Sequence, residues 1–149
     1  MKSSPNARPE MLLVTVASAA DLPIVFDIRN RVFVVEQQVD PKEEYDVYEG
    51  ASTHLIAFWD GAAVGTARFR STEKGWKIER MAVLAPFRRL GVGKALLLEV
   101  LVRIPQDGRS IYLHAQEHAL SFYKGLGFSS SGDRFYEADI PHRLCTYKL

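Results

Sequence analysis

The sequence predicts an α/β fold built on one α+β or mixed sheet of six or seven strands. Three segments between residues 53 and 84 have the apolar alternation of strands, and short connections join them as antiparallel neighbours. Helix-like periodicity precedes these segments near residues 21–35 and follows them near residues 94–103. Further strand and helix patterns come after, so helices interrupt a run of strands, which is typical of this fold class.

Length and composition predict one globular domain. The chain has 149 residues, of which 47% are hydrophobic and 25% charged, and this is enough to form one core. The formal net charge of +1 does not favour nucleic-acid binding. A single cysteine, Cys145, excludes an internal disulfide and fits a reducing cytosol. We therefore expect a cytoplasmic protein with a disordered tail at residues 1–10, one domain at residues 11–149, and no signal peptide or membrane segment.

Periodicity in the first 35 residues predicts a strand and a helix. Apolar residues alternate with others from Met11 to Val16, as they do in a strand. Asp21 can cap the helix that follows. The apolar face of this helix is expected to contain four residues spaced three and four apart, namely Val25, Ile28, Val32 and Val35.

The segment from Glu36 to Gly50 is strongly acidic. It contains six carboxylates and one lysine, so six minus one gives a local net charge of −5. Such a segment can be a solvated loop or a short helix. It can also be an acidic mouth that attracts a cationic amine. The acceptor-side candidates from this part of the chain are Arg31, Glu36, Asp46 and His54.

The dipeptide Asp60-Gly61 predicts a tight hairpin between strands at residues 53–59 and 62–69. A type I′ turn needs positive φ at both central residues, and this dipeptide is among those that tolerate it. A third strand is predicted at residues 76–84, after a looser connection. These three strands are expected to follow one another in the sheet.

A glycine loop joins the third strand to the next helix. Gly91 and Gly93 let the backbone approach a ligand, and the first N–H groups of the helix have no partner within it. Together with the helix dipole and Arg88, they favour a phosphate group. The loop is not a P-loop, because Ala95 stands where Ser or Thr binds magnesium, and it lacks the third Rossmann glycine at Leu96.

Four further elements are predicted after the loop. The helix that follows it runs to about Arg103, and because it is apolar nearly all round we expect it to be the central buried helix. Residues 111–115 predict a short strand and residues 116–125 a helix. Two segments near residues 134–138 and 144–149 resemble strands but are too short to assign alone.

Two motifs resemble those of the GCN5-related N-acetyltransferase (GNAT) family. Arg88-x-x-Gly91-x-Gly93 resembles its pyrophosphate loop, and Ala119 to Phe128 resembles its A-x-x-F-Y-x-x-L-G-F segment. The predicted element order, β-α-β-β-β-α-β-α-β-β, is also that of the family. The resemblance covers most of residues 11–149 and implies the GNAT acyl-CoA N-acyltransferase fold, with helices on both faces of the sheet. A narrower resemblance, at residues 31–37, 114–116 and 140–142, is to a branch of small bacterial members whose acceptors are mostly unassigned.

The resemblance implies a reaction in which an amine attacks the thioester of acetyl-CoA directly. The implied positions for the pantetheine, thioester and phosphate groups are Met81, Ala82, Val83, Arg88, Arg89, Gly91, Val92, Gly93 and Lys94. Tyr123 matches the tyrosine that assists the leaving thiolate. An aromatic residue on the apolar stripe of a helix can equally be a packed core residue, and that alternative stays open.

The general base is less well defined by the sequence. Strict alternation along the third strand places Glu79 on the face of Met81 and Val83, where it can accept the ammonium proton. Glu79 can instead be a solvated or Arg-paired carboxylate. His114 and His142 are alternatives, because imidazole titrates nearer neutral pH.

The leading hypothesis is an acetyl-CoA-dependent N-acetyltransferase that acts on the primary amine of a small molecule. A protein or peptide amine is the second hypothesis, and a catalytically silent coenzyme A-binding module is the third. No metal site is implied, because the four histidines lack ligand spacing with carboxylates or cysteines. No nucleic acid or membrane partner is expected, and a homodimer stays open.

Overall fold

Seven strands form one sheet in the computed structural model, which describes residues 11–148. Their bounds are β1 Leu12–Val16, β2 Thr53–Trp59, β3 Ala62–Thr72, β4 Gly75–Val83, β5 Ile111–Gln116, β6 Phe128–Glu137 and β7 Ile140–Tyr147. Their order across the sheet is β1-β2-β3-β4-β5-β7-β6. Every pair of neighbours is antiparallel except β4 and β5. The predicted mixed sheet is confirmed, whereas the tail predicted at residues 1–10 lies outside the described residues.

Helices cover both faces of the sheet, as predicted. Their bounds are α1 Leu22–Arg29, α2 Pro41–Glu44, α3 Val92–Arg103 and α4 Leu120–Lys124. On one face, α3 packs Leu96, Leu97 and Val100 into the main core, which α4 also contacts. On the other face, α1 and the residues after it form a smaller core that includes Ile28 and Ala82. The central strands therefore have a hydrophobic core on each face of the sheet.

The predicted first helix changes geometry after Arg29. Residues Asn30–Glu36 form a π segment, in which the N–H of Gln37 donates to the carbonyl of Val32, five residues back, at 3.0 Å. The wider turn rotates the side chains out of α-helical register. Phe33 is therefore buried, whereas Val35 is 66% exposed, and its predicted place on the apolar face was wrong.

The hairpin between β2 and β3 is confirmed. Asp60 has a φ of 47° and Gly61 a φ of 89°, so both central residues of the turn are left-handed.

Two expectations about the helices need correction. The helix α3 is buried on one side only, because Leu98 and Val102 are exposed. The helix predicted at residues 116–125 is α-helical only in α4, after a short 3-10 turn.

A β-bulge interrupts β4. Glu79 lies opposite Arg68 and Ala82 lies opposite Thr66, so two residues of β4 face one residue of β3. Arg80, in the bulge, has a φ of 53°. The bulge reverses the alternation of faces, so Glu79 shares a face with Ala82. The prediction that Glu79 shares a face with Met81 and Val83 was therefore wrong, since both of those residues pack against the α3 core.

The strands β4 and β5 separate soon after they begin. They pair over three residues, ending at Ile78 and Leu113. Beyond that point β4 pairs only with β3, and β5 continues alongside β7. One edge of β4 from Glu79 to Val83 is thus left open toward β5, which the sequence did not reveal.

Candidate active site

A cavity of about 1220 Å³ occupies the gap between β4 and β5 and extends to both faces of the sheet. On the α3 face its lining includes Tyr123 and the glycine loop. On the opposite face its lining includes Glu79 and His114. The gap between the strands therefore connects two chemically different environments, one rich in loop N–H groups and cations, the other in carboxylates and imidazoles.

The structure brings nearly all the predicted donor-site residues to this cavity. Its lining includes Met81, Ala82, Val83, Arg88, Arg89, Gly91, Gly93 and Lys94. Val92 is the exception, because its side chain is 1% exposed and packs in the main core. Its backbone N–H nevertheless belongs to the first turn of α3, where N–H groups lack partners within the helix.

The conformation of the glycine loop suits an anion. Gly91 caps α3 with a φ of 91°, and Arg89 has a φ of 63°. A Cβ on Gly91 would meet no atom within 4 Å, so backbone conformation and not space requires glycine there. The N-terminus of α3 carries the positive end of the helix dipole, next to Arg89 and Lys94.

The guanidinium of Arg88 forms hydrogen bonds with other groups of the protein. Its Nη2 donates to Glu36 Oε1 at 2.7 Å, its Nη1 donates to the other oxygen of the same carboxylate, and its Nε donates to the carbonyl of Val83 at 2.9 Å. The hydrogen bond from Arg88 lowers the pKa of Glu36 below its ordinary value. The guanidinium predicted to hold pyrophosphate is thus already engaged on three nitrogens.

Tyr123 is half-buried on α4 and lines the cavity. Its hydroxyl donates a long hydrogen bond to Met81 Sδ at 3.8 Å. Its ring contacts Phe122 and Phe128 edge-on, with centroids 5.0 and 5.9 Å away. Burial raises the pKa of the phenol well above its ordinary value, so Tyr123 stays protonated and can donate a hydrogen bond beside β4.

A group of charged side chains, here called the ion cluster, lies under the opposite face of β4. Its members are Arg29, Glu44, Asp46, Glu49, Arg68, Arg70, Lys77, Glu79 and Arg80. Arg29 and Arg68 are 0% and 1% exposed, and each contacts two or more carboxylates. Three carboxylates of the acidic segment therefore point inward onto arginines, which neither interpretation of that segment anticipated.

Glu79 belongs to the ion cluster. Its Oε2 accepts from Arg68 Nε and from Arg70 Nε, both at 2.7 Å, and Lys77 Nζ lies 3.2 Å from its Oε1. Burial alone would raise the pKa of Glu79, but these three cations lower it to about 2. A carboxylate with this pKa is a very weak base near neutral pH, which argues against the predicted role of Glu79 as general base.

Two histidines line the cavity on the same face as Glu79. His114 Nδ1 lies 2.9 Å from Glu137 Oε1, and His142 Nδ1 lies 2.7 Å from the carbonyl of Ile140. Because both partners accept, the hydrogen bonds assign a hydrogen to each Nδ1, which leaves Nε2 as the ring nitrogen that can accept a proton. Sequence reasoning missed Glu137, which stands in β6 with no motif around it.

The acceptor-side candidates are dispersed. Glu36 lines the cavity, but Asp46 is in the ion cluster and Arg31 pairs with Asp27 at the surface, 3.3 Å away. His54 is buried under the acidic segment, with Nε2 3.0 Å from the carbonyl of Glu49. None of these last three is in the cavity lining described for residues 11–148.

Within the part of the chain that the structure describes, no group of three or more His, Cys, Asp or Glu residues could hold a metal ion. No helix in that same part is long and apolar enough to span a bilayer.

Comparison with known proteins identifies the family. The family described as "Acetyltransferase (GNAT) domain" matches residues 18–147 of the chain. The chain belongs to the GNAT acetyltransferase family. It is therefore an acyltransferase, of a family that uses acetyl-CoA and an acceptor substrate.

Individual proteins are similar to this chain along nearly its whole length. The Bacillus subtilis (strain 168) "Uncharacterized N-acetyltransferase YjcF" is 34% identical over 135 residues, or 89% of this chain and 96% of that protein. The crystal structure of Escherichia coli ElaA is 26% identical and covers 93% of this chain and 100% of its own, with a TM-score of 0.80. A GNAT family acetyltransferase from Elizabethkingia anophelis with acetyl-CoA bound has the same fold, with a TM-score of 0.72 at 19% identity, covering 94% of this chain and 99% of its own.

The ion cluster predicts a specific loss of stability in Glu79→Gln. Removing the shared carboxylate leaves Arg68, Arg70 and Lys77 with unbalanced charge, which should cost about 3–5 kcal/mol of unfolding free energy at pH 7. Urea unfolding measures this loss. The exposed pair Glu99–Arg103 provides a control, because Glu99→Gln should cost only about 0.5 kcal/mol.

The same variant should alter the acid response. The folded-state pKa of Glu79 is about 2 and its ordinary value 4.5, so its contribution is present above about pH 4.5 and is lost as the pH falls toward 2. The stability difference between wild type and Glu79→Gln should therefore narrow over that interval. A constant difference would show that Glu79 is not stabilised as a carboxylate.

Proposed function

We propose that this protein transfers the acetyl group of acetyl-CoA to the primary amine of a small-molecule acceptor. The observation that carries the proposal is the single cavity shared by the glycine loop, the open edge of β4 and the Tyr123 hydroxyl. These three features supply, in order, an anion site, N–H groups for a developing oxyanion, and a donor for a leaving thiolate.

The donor is held along the gap between β4 and β5. N–H groups of the first turn of α3, with Arg89 and Lys94, bind the phosphates. The pantetheine lies beside the open edge of β4 and takes the place of the missing strand. The edge N–H groups around Met81 and Ala82 then reach the thioester oxygen, since no β5 residue pairs with them.

The reaction is a direct displacement. The amine nitrogen attacks the thioester carbon, and the resulting oxyanion accepts hydrogen bonds from β4. The C–S bond then breaks and the thiolate accepts a hydrogen bond from Tyr123. The proton lost by the amine passes to a base and finally to sulfur, so the products are the acetamide and coenzyme A.

His114 is the base we assign to this step. Its Nδ1–H donates to Glu137, which fixes the ring so that Nε2 is the proton acceptor, as a carboxylate does in other His-dependent sites. Burial raises the pKa of Glu137, but the hydrogen bond from His114 and the positive charge of Lys77 lower it overall, so the orienting carboxylate stays ionised. Glu79 lacks the basicity for this role.

The acceptor end favours a small amine over a protein segment. Ala138 and Ile140, at the β6–β7 turn, pack against the smaller core that contains Phe33 and Val39. This contact lies on the same face of the sheet as His114 and narrows the acceptor end, which favours a pocket over a long groove. Glu43 is exposed in the lining and adds negative charge that attracts an ammonium group.

Incubation with acetyl-CoA and a panel of amines, with thiol release as the readout, tests the proposed function. Turnover with one or more small primary amines is the expected result. Thermal stabilisation by coenzyme A without turnover on any amine would favour a silent binding module. Turnover on peptide amines alone would contradict the small-molecule assignment.

Tyr123→Phe tests the leaving-group role. We expect kcat to fall by ~10²–10⁴-fold with coenzyme A affinity nearly unchanged, because the hydroxyl acts only as the C–S bond breaks. Steady-state kinetics and calorimetric binding measure the two effects separately. Tyr147→Phe is the matched control, since Tyr147 packs against Phe128 outside the cavity lining, and it should retain turnover. An unchanged kcat in Tyr123→Phe would rule out the role.

His114→Gln tests the base. We expect kcat/KM to fall by ~10²-fold or more, because the ring nitrogen that accepts the ammonium proton is removed. Glu137→Gln should cause a smaller loss, because it removes the orienting partner and not the base. His142→Gln should retain most of the activity. A ~10²-fold loss in His142→Gln with little loss in His114→Gln would move the role to His142 and overturn our assignment.

A further inference from the structure

The bond between Arg88 and Glu36 joins two segments that are far apart in sequence. Glu36 ends the π segment, and Arg88 opens the glycine loop. The two side chains form a bidentate ion pair, in which two N–H groups of Arg88 donate to the two oxygens of one carboxylate. The Nε of Arg88 also donates to the carbonyl of Val83. Arg88 is therefore fixed in plane and in direction, although its side chain is 38% exposed.

The bond also fixes the entry to the glycine loop. Arg88 has extended backbone, with a φ of −75° and a ψ of 153°, and Arg89 immediately after it is left-handed. The direction of the chain thus changes between these two residues, just before the N-terminus of α3. Anchoring Arg88 on both Glu36 and Val83 sets where the loop N–H groups point.

Gln37, which follows the π segment, contacts the other side of the gap. Gln37 exchanges two side-chain hydrogen bonds with Gln116, at 3.2 and 3.0 Å, and Gln116 is the last residue of β5. Glu36 and Gln37 together therefore connect the glycine loop, which follows β4, to the end of β5. A π turn closes over one residue more than an α turn, which changes the directions of Glu36 and Gln37 about the helix axis.

We propose that Arg88 is a positioning residue and that its pair with Glu36 holds the glycine loop in the conformation that binds coenzyme A. Arg88 does not itself contact the pyrophosphate. The phosphates are bound by the loop N–H groups, Arg89 and Lys94. This inference rests on the proposed function, since it concerns the binding of coenzyme A at the same site.

The competing model makes the opposite prediction for one variant. If Arg88 were a pyrophosphate ligand, Glu36 would compete with the phosphates for its guanidinium, and Glu36→Gln would bind coenzyme A more tightly. If the pair positions the loop, Glu36→Gln releases the loop and binds coenzyme A more weakly. The sign of a single measurement therefore separates the two.

Calorimetric titration of coenzyme A into wild type and variants tests the inference. We expect Glu36→Gln and Arg88→Gln each to weaken binding by a similar factor, roughly 3- to 10-fold, and the double variant to be no weaker than either single variant. Arg88→Lys should be as weak as Arg88→Gln, because lysine keeps the charge but cannot form the bidentate ion pair. A direct phosphate contact would instead be largely retained by lysine.

Two further variants complete the design. Arg89→Gln should weaken binding on its own, and its effect should add to that of Glu36→Gln, because Arg89 is not part of the pair. The exchanged pair Glu36→Arg with Arg88→Glu should recover part of the affinity lost in the single variants. Circular dichroism and thermal unfolding without ligand establish that each variant is folded before it is titrated.

Each outcome supports or overturns the inference. Equal or tighter binding by folded Glu36→Gln, or additive losses in the double variant, would overturn it while wild-type binding still supports the proposed function. If the wild type binds no coenzyme A, both the proposed function and this inference fail.

Discussion

The brief pairing of β4 with β5 is the constraint on which the site depends. The two strands stay together through Ile78 and Leu113 and then separate, so one edge of β4 has no strand beside it. Unpaired backbone groups inside a protein are unfavourable unless another partner satisfies them. A ligand that carries amides along an extended chain, as pantetheine does, can act as that partner. The open edge of β4 is thus the part of the central sheet where backbone groups remain available to such a ligand.

The ion cluster explains how β4 can keep this irregular shape. A left-handed conformation at Arg80 costs on the order of 1–3 kcal/mol. The Arg80 guanidinium donates to the carbonyl of Glu44 at 3.1 Å and to Asp46 Oδ2 at 3.2 Å, and Asp46 is in turn bound by Arg68. Because buried ion pairs add little net stability, their contribution here is positional. They fix the bulge and attach the acidic segment to the sheet.

Local signals predicted the parts of the structure that local physics determines. Asp60-Gly61 specified its hairpin, because positive φ at both residues is a property of the dipeptide itself. The face of Glu79 was mispredicted because the bulge at Arg80 depends on partners more than thirty residues away in the chain. Val35 was mispredicted because a π segment breaks the 3.6-residue period that the pattern assumes. The functional motifs identified candidate site residues by their positions in the sequence. The pairing of Arg88 with Glu36 could be recognised only in the folded structure, because the two residues are far apart in the chain.

The inward turn of the acidic segment limits which of its carboxylates are available to a ligand. Glu44, Asp46 and Glu49 are committed to arginines and Glu36 to Arg88, so these carboxylates cannot bind a free ammonium group without breaking an internal pair. Glu137 is bound by His114, which leaves Glu43 as an exposed carboxylate in the cavity lining. One solvated carboxylate attracts a cation only modestly. Under the proposed function, discrimination among amines therefore comes mainly from the shape of the cavity between Val39 and Ile140.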